Sequence, residues 1–443
     1  MAFRASVLSF ALGCSVACGD SGTTPSGGGN AGGNTGAGSS IGGNAAAGGE
    51  TATGGNAAGG NGNGGSTEGG SGGSITVTPP NCPVGTVEIG VDDSCTGNGP
   101  APSSVLQNAL ADSNRGELFD VGNEIDDAAC LPVRSCVSDA APTLIFSDEP
   151  EYVDADGVLY AEMAQPGRYR LYIYHVNDGA SPRRFTAVAL NQEAMTTSLT
   201  VEKTALTAPS SSFLNVGRTV AAAYYGATGK PAQAIAPSQR VVIDSDLDAL
   251  VADPGELIHA IIELQISGPL KISIVSVPEN ADAAVVTAAL SLLPDTGLHV
   301  RGTFPLADRL LLSRHASGLG RLRLGDNLAF DPDLVGTSFV DGTTVTLPGN
   351  FGVTYDVRII EPTVELAVLL NPRAGAWAGA MFGSAGLDAN GGLVALPNQG
   401  LVADASDEVI SLGRYTTNIS IGMKLLTAGG SSLPVHIVAM PLP

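Results

Sequence analysis

The chain has 443 residues, a formal net charge of −22 and an aromatic content of 5%. That much negative charge repels phosphate backbones and anionic lipid headgroups, so nucleic acid is excluded as a partner. No apolar run reaches the roughly eighteen residues that a membrane-spanning helix needs, and the chain is long enough for two domains with their own cores.

The first residues, 1–18, have the pattern of a signal peptide. Arg4 precedes an apolar run that ends at Ala17, which is too short to span a membrane. Two cysteines in this segment, Cys14 and Cys18, each follow a small residue, which resembles the lipobox of bacterial lipoproteins. Cys18 is the predicted lipidation site because the polar tract begins directly after it, and Cys14 is the alternative. A cleaved signal peptide with incidental cysteines is the competing interpretation.

Residues 19–79 consist mostly of Gly, Asn, Ser, Ala and Thr, as in "GGNTGAGSSIGGNAAAGG". Such side chains bury too little apolar surface to offset the entropy lost on folding, which predicts a disordered linker. As a random coil it would span roughly 40–50 Å. A linker between a lipid anchor and a folded part predicts an exported protein of the cell envelope, on the outer membrane or the cell surface.

Residues 80–140 read as a loop-rich segment with one strand, Thr86–Val91, and a short helix in "SSVLQNALADS" after a serine cap. The segment contains four cysteines: Cys82, Cys95, Cys130 and Cys136. Two disulfides are predicted, because export places the chain in oxidising conditions and no Cys-x-x-Cys zinc pair occurs. Three connectivities are open, and local pairing of Cys82 with Cys95 and of Cys130 with Cys136 is the simplest.

Short stretches of alternating apolar residues fill residues 141–278. Examples are "GRYRLYIYHVND", "RRFTAVALN", "TTSLTVEK", "ELIHAIIELQIS" and "LKISIVSV". A helix is predicted only at 213–226. Short strands at regular spacing, without alternating helices, favour an antiparallel β-sandwich.

The stretch "ENADAAVVTAALSLLP" (279–294) is the clearest predicted helix, since its apolar residues recur at helical spacing and Pro294 ends it. Residues 295–443 return to short strands separated by Gly, Pro and Asn. The predicted fold is therefore mainly all-β: two antiparallel β-sandwich-like domains, 141–278 and 295–443, joined by this short helix.

Seven stretches between about residues 145 and 441 share a resemblance with one family: "FSDEPEYVDADGVLYAE", "YRLYIYHVN", "RRFTAVALN", "LHVRGTF", "NFGVTYDV", "LNPRAGAWAGA" and "SSLPVHIVAMP". In this order they resemble a region of bacterial surface proteins that carry a copper-amine-oxidase-like N-terminal (stalk) domain. The resemblance implies a secreted, β-rich surface protein without established catalysis. The stalk domain itself has no counterpart, and the Gly-rich tract stands in its place.

No catalytic residue is predicted. Copper amine oxidases need a His-x-His pair and an Asn-Tyr-Asp/Glu triplet, and the chain has neither. Its five histidines are widely separated, and a lone histidine within a strand is usually a hydrogen-bonded core residue. No metal site is predicted, and calcium is the only cofactor considered. Its candidate ligands lie in acidic loops, whose alternative role is turn formation: Asp154, Asp156, Asp331 and Asp333.

Arg301, Arg373 and Trp377 are the candidate binding residues, because Arg and Trp are enriched at binding hot spots. The competing interpretation pairs the arginines with carboxylates and packs Trp377 in the core.

The predicted function is a non-catalytic, lipid-anchored surface protein that binds a glycan or an envelope protein, or serves a structural role. The alternative is an exported hydrolase that acts on polysaccharide through an unrecognised carboxylate site. Two carboxylates that converge in a cleft would favour the hydrolase.

Overall fold

The computed structural model describes residues 77–387, 390–400 and 406–443. The predicted signal peptide, the lipidation candidates Cys14 and Cys18 and nearly all of the linker lie outside these ranges. Within them, no helix is both long and apolar enough to cross a membrane.

Strands dominate the described residues, and this confirms the mainly β fold predicted from the sequence. The elements up to residue 278 are β1 (Thr86–Asp92), α1 (Ser104–Leu110), β2 (Leu118–Asp120), β3 (Ala129–Cys130), β4 (Val133–Ser138), β5 (Thr143–Ser147), β6 (Tyr152–Val153), β7 (Gly157–Ala164), β8 (Gly167–Asn177), β9 (Arg183–Leu190), β10 (Thr197–Leu206), α2 (Phe213–Gly226), β11 (Gln233–Ile235), β12 (Arg240–Val242), α3 (Ser245–Asp248), β13 (Leu257–Ile266) and β14 (Leu270–Pro278). The later elements are α4 (Ala283–Val286), β15 (Arg301–Phe304), β16 (Asp308–Ser313), β17 (Gly320–Leu324), β18 (Leu334–Ser338), β19 (Thr343–Leu347), a 3-10 turn (Pro348–Asn350), β20 (Thr354–Ile359), β21 (Leu366–Pro372), β22 (Gly379–Gly383), β23 (Gly392–Leu396), β24 (Glu408–Tyr415), β25 (Ile421–Thr427) and β26 (Val435–Pro441).

The described strands form four sheets. The central sheet has the order β11-β10-β13-β8-β5-β15-β18-β19, with β6 beside β8, and the outer sheet has the order β12-β9-β14-β7. A seven-stranded sheet runs β1-β4-β16-β20-β25-β22-β23, and a six-stranded sheet runs β2-β24-β21-β26-β17-β3. Most pairs are antiparallel as expected, but β5 and β6 both run parallel to β8.

The predicted division into domains at 141–278 and 295–443 is wrong, because two sheets cross that boundary. In the central sheet β5 pairs with β15, and in the seven-stranded sheet β4 pairs with β16. The described residues form one compact unit. Strand pairing depends on partners that are far apart in the sequence, so the order of strand-rich blocks did not reveal it.

The helix predicted at 279–294 is also mostly wrong, since only Ala283–Val286 is helical. Asp282 caps it by accepting a hydrogen bond from the Val285 amide at 3.2 Å. Residues 287–289 form turns, and the backbone then bonds to Val158, whose amide donates to the Ser291 carbonyl and whose carbonyl accepts from the Leu293 amide. By contrast, the predicted helices are confirmed at α1, capped by Ser103, and at α2.

The predicted local disulfides are replaced by long-range ones, Cys82–Cys136 and Cys95–Cys130. The cause is the antiparallel pairing of β1 with β4, in which Asp92 lies opposite Val133. This register brings Cys95, just after β1, beside Cys130, just before β4. Cys82 precedes the turn in which the Thr86 amide donates to the Pro83 carbonyl, and it bonds to Cys136 within β4.

The central sheet is buried on both faces. On β8, Leu171 and Ile173 belong to a core shared with the outer sheet, whereas Tyr172 and Tyr174 belong to a larger core shared with the other two sheets and α2. A strand covered on both sides loses the polar alternation of a half-exposed strand. This explains the almost uninterrupted apolar stretch in "GRYRLYIYHVN".

Candidate functional site: a candidate metal centre

The pairing of β5 with β15 brings two loops together at one end of the central sheet. Ser147, the last residue of β5, lies opposite Arg301, the first residue of β15. The residues just after β5 therefore meet those just before β15, and the Asp148 amide donates to the Val300 carbonyl at 3.2 Å. This meeting point places Asp148 and Glu151 beside His299.

His299 lies between two carboxylates. Its Nε2 is 2.7 Å from Oε2 of Glu151, and its Nδ1 is 3.5 Å from Oδ2 of Asp148. One ligand atom from each of the three residues lies within 4.8 Å of the others. We call these three residues the 148–151–299 centre.

Glu149 fixes the loop that carries His299. Its carboxylate accepts hydrogen bonds from the backbone amide of His299, at 2.9 Å, and from that of Thr296. Burial alone would raise the pKa of Glu149, but these hydrogen bonds hold it below its ordinary value. A charged, doubly bonded carboxylate thus holds the backbone of residues 296–299 against the end of β5.

The centre is partly buried, and this shifts its titration. Burial raises the pKa of Asp148 to about 7, although the hydrogen bond from His299 acts in the opposite direction. Burial also raises the pKa of Glu151. The hydrogen bond to Asp148 raises the pKa of His299. Oδ1 of Asp148 is buried and has no hydrogen-bond partner among the described residues.

A cavity of about 260 Å³ adjoins the centre. Its wall includes Phe146 and Tyr172, whose rings stack with their centroids 4.6 Å apart, together with Tyr174 and Phe351. Burial, with the nearby charges of Asp148 and Glu151, raises the pKa of both tyrosines. The tyrosines therefore stay neutral at physiological pH, and all the negative charge at the cavity belongs to the carboxylates.

Gly429 lies against the aromatic wall. A Cβ at this position would approach a ring carbon of Tyr174 to 2.5 Å, which is closer than real contacts allow. Glycine permits this close approach of backbone to ring, and with it the packing of the Gly430–Ser431 segment beside the cavity.

The three side chains suit a divalent metal ion. Imidazole nitrogen and carboxylate oxygen are the ligands that zinc and related transition ions accept, whereas calcium and magnesium prefer oxygen alone. With Nε2 as a metal ligand, the Nδ1–H group of His299 would donate to Asp148, and such a hydrogen bond orients metal-binding histidines. Direct coordination of the metal ion by Asp148 is the alternative to this hydrogen bond, since one ligand atom of each of the three residues lies within 4.8 Å of the others.

The four calcium candidates lie outside the 148–151–299 centre, and the carboxylates of three of them, Asp156, Asp331 and Asp333, have protein partners. Arg183 binds the Asp156 carboxylate at 2.7 Å and the Asp154 carbonyl at 3.0 Å. Asp331 is fully buried and accepts from the Gly325 amide at 2.9 Å. Asp333 accepts from the amide of Gly349 at 3.1 Å.

The three candidate binding residues have structural contacts. Arg301 is 4% exposed and donates to the carbonyl of Leu159 at 2.9 Å. Arg373 donates to Asp126 at 2.9 Å, and Trp377 is 1% exposed in the larger core. None of the three lines the cavity beside the 148–151–299 centre.

The centre itself was missed by sequence reasoning. Asp148 and Glu151 lie in "FSDEPEYVD" and His299 lies in "GLHVRGTF", more than a hundred residues later. The available signal was an acidic loop directly after a strand and a lone histidine directly before another strand. It becomes informative only when β5 and β15 are known to be partners.

Comparisons with known proteins do not identify a relative. No family model matches the chain, and no curated protein matches it. Among solved structures, a mutant of Bacillus subtilis oxalate decarboxylase aligns at 11% identity over 68% of this chain and 77% of that chain, with a TM-score of 0.09. A likeness at that level carries no argument about fold or function.

Proposed function

We propose that this chain is a non-catalytic, lipid-anchored protein of the bacterial cell envelope that binds a divalent transition-metal ion at the 148–151–299 centre. The convergence of one imidazole and two carboxylates beside a cavity is the observation that carries the proposal. The two disulfides agree with an exported protein. The lipobox-like pattern at Cys18 and the linker supply the proposed anchor.

Two features of the 148–151–299 centre favour metal binding over a purely structural ion pair: the solvent access of His299 and the oxygen of Asp148 left unbonded by the described residues. His299 is 38% exposed at its side chain and stands at the cavity, where an ion from solvent can reach it. In addition, the buried Oδ1 of Asp148 has no hydrogen-bond partner in the described part of the chain. A buried carboxylate oxygen without a hydrogen bond is costly, and a bound cation would remove that cost.

An exported hydrolase acting on polysaccharide is the second candidate function, and the cavity is the observation that favours it. Three protein ligands leave metal positions open for water, which a bound metal ion can activate for hydrolysis. Against a metal-free glycosidase, His299 contacts both carboxylates and occupies the space between them. A sugar ring would need that space.

The test is calorimetric titration of the purified protein with Zn²⁺ and, separately, Mn²⁺ and Ca²⁺ at pH 7.5. We expect one Zn²⁺ per chain and at least a ~100-fold weaker affinity in His299→Gln and Glu151→Gln. His436→Gln, on the six-stranded sheet, is the control and should bind as the wild type does. Unchanged Zn²⁺ affinity in both centre variants would refute the metal site.

Two further measurements separate the two functions and test the anchor. Release of reducing ends from cell-wall polysaccharide by the Zn²⁺-loaded protein, lost in His299→Gln, would establish the hydrolase instead. For the anchor, Cys18→Ser should move the protein from the membrane fraction to the soluble fraction, with Cys14→Ser as the matched control. Release by Cys14→Ser alone would reassign the lipidated cysteine.

A further inference from the structure

A groove of about 620 Å³ lies on the exposed side of the outer sheet, away from the core that this sheet shares with the central sheet. Its volume falls in the range of pockets that enclose small organic ligands. The chain after α4, from Thr287 to Leu292, forms one wall, and Phe339 and Val340 form another. The groove is separate from the 148–151–299 centre, since the two share no lining residue.

The floor of the groove follows from the strand register. Leu190 of β9 lies opposite Arg240 of β12 on one side and opposite Lys271 of β14 on the other. Directly opposed residues project from the same face of a sheet, so these three side chains form one row. Two residues along β9, Val188 lies opposite Ser273 and continues an apolar floor.

The row places two cations at one end of the groove. Strand spacing puts the backbones of Arg240 and Lys271 about 10 Å apart, on either side of Leu190. Neither side chain has an ion-pair or hydrogen-bond partner within the part of the chain that the structure describes. The neighbouring arginines on the same sheet are paired, Arg183 with Asp156 and Arg184 with Asp248.

Two cations that flank one leucine and have no partner among the described residues stand out in a chain whose formal net charge is −22. Glu162, which also lines the groove, does not neutralise them by direct pairing. Its carboxylate instead accepts hydrogen bonds from Thr303 and from Tyr160. The positive end of the groove is thus available to an anion.

The apolar walls of the groove favour a ligand whose main part is also apolar. Val158, Leu290 and Leu292 line the groove together with the Val188 and Leu190 floor. Burial of an alkyl chain against such walls is favourable by about 0.8 kcal/mol per methylene. The combination of an apolar groove with two cations at one end matches a molecule that has an apolar body and one anionic head.

We propose that this groove binds a single-chain amphiphile with a carboxylate head, such as a free medium- or long-chain fatty acid. The carboxylate lies between Arg240 and Lys271, and the alkyl chain lies along Val188 towards the wall formed by residues 287–292. A bilayer is the less suitable partner, because the acidic remainder of the chain is repelled by anionic headgroups.

The experiment uses the fluorescent carboxylate 11-(dansylamino)undecanoic acid, displaced by laurate below its micellar concentration. We expect saturable binding and displacement by laurate in the wild type. The double variant Arg240→Gln/Lys271→Gln should bind the probe ~10–100-fold more weakly, because each lost charge removes a charge-assisted contact. Arg314→Gln/Lys424→Gln, which removes an exposed Arg and an exposed Lys elsewhere, is the matched control and should bind normally.

Further variants and competitors test whether the probe binds in this groove and through its carboxylate. Ser273→Trp, which fills the floor, should abolish binding while the circular dichroism spectrum stays that of the wild type. His299→Gln, which weakens the proposed metal centre, should leave the affinity of the groove for the fluorescent carboxylate unchanged. Equal displacement by dodecyltrimethylammonium, unchanged affinity in Arg240→Gln/Lys271→Gln, or binding only when anionic vesicles are present would each overturn the proposal.

Discussion

Arg170 offers the sharpest test of how the sheets are joined. It is 1% exposed and lies on β8 in the central sheet. Its guanidinium donates to Glu263 of β13 at 2.7 Å and to Asp308 of β16 at 2.9 Å. It also donates to the Tyr224 hydroxyl in α2 and to the carbonyls of Ala307 and Gly352. One side chain thus links the central sheet to α2 and to the seven-stranded sheet.

Substitution of Arg170 by Met should be costly because it leaves a buried charge without its main partner. Burial would raise the pKa of Glu263, but the charge of Arg170 holds it below its ordinary value, so Glu263 is ionised in the wild type. Removing one partner of a buried pair typically costs about 3–5 kcal/mol. Arg168, 3.2 Å from the other carboxylate oxygen, retains part of the pairing, which places our estimate at about 3–4 kcal/mol.

The assay is equilibrium unfolding in urea, followed by far-UV and near-UV circular dichroism. We expect Arg170→Met to lower the free energy of unfolding by that amount, in one transition seen by both probes. The double variant Arg170→Met/Glu263→Met should be less destabilised than Arg170→Met, because the uncompensated charge is gone. A loss below about 1 kcal/mol, or two separate transitions of which only one shifts, would refute a shared cooperative unit.

Two further predictions concern a buried acid and the disulfides. Burial raises the pKa of Glu162 from 4.5 to about 7, so the stabilisation by its protonated form is complete below pH 4.5 and is lost as the pH rises through about 7. In urea titrations at pH 8, the free energy of unfolding of Glu162→Gln should therefore exceed that of the wild type by up to about 3 kcal/mol. At pH 4.5 the two free energies should be nearly equal. The same difference at both pH values would contradict this prediction. The Cys95–Cys130 disulfide closes a loop of 35 residues, so its loss in Cys95→Ser/Cys130→Ser should cost about 4 kcal/mol. An unchanged melting temperature would show that the bond does not constrain the unfolded chain.

The sequence was most informative where structure depends on near neighbours. Ser103 caps α1 as expected, and the apolar spacing of Phe213–Gly226 produces α2. Most predicted strands are present, because period-two alternation and turn residues are local signals. The helix at 279–294 failed at the point where Val158 supplies backbone partners to residues 291 and 293, a contact that no local pattern contains.

The candidate site was beyond local reasoning for the same reason. Its ligands come from segments joined by the β5–β15 pairing, and their separate contexts read as an acidic turn and a strand-flanking histidine. Composition instead indicated Arg301 and Trp377 as binding residues, because arginine and tryptophan are few in this acidic chain, yet both side chains are buried. Rarity of a residue type was therefore no guide to the candidate site: Arg301 and Trp377 are packing residues, whereas the 148–151–299 centre combines two acidic residues with one of the chain's five histidines.

The pairing that unites the fold also creates the candidate metal centre. Asp148 and Glu151 belong to one predicted domain and His299 to the other, so neither predicted domain alone contains the three ligands. Glu149 reinforces this dependence, because its carboxylate is bonded to the backbone of His299 across the same junction. A metal bound at the centre would join both segments and stabilise the shared sheet, by about 2.7 kcal/mol at a metal concentration one hundred times Kd. Metal affinity and the cooperativity of unfolding should therefore change together when the β5–β15 junction is weakened.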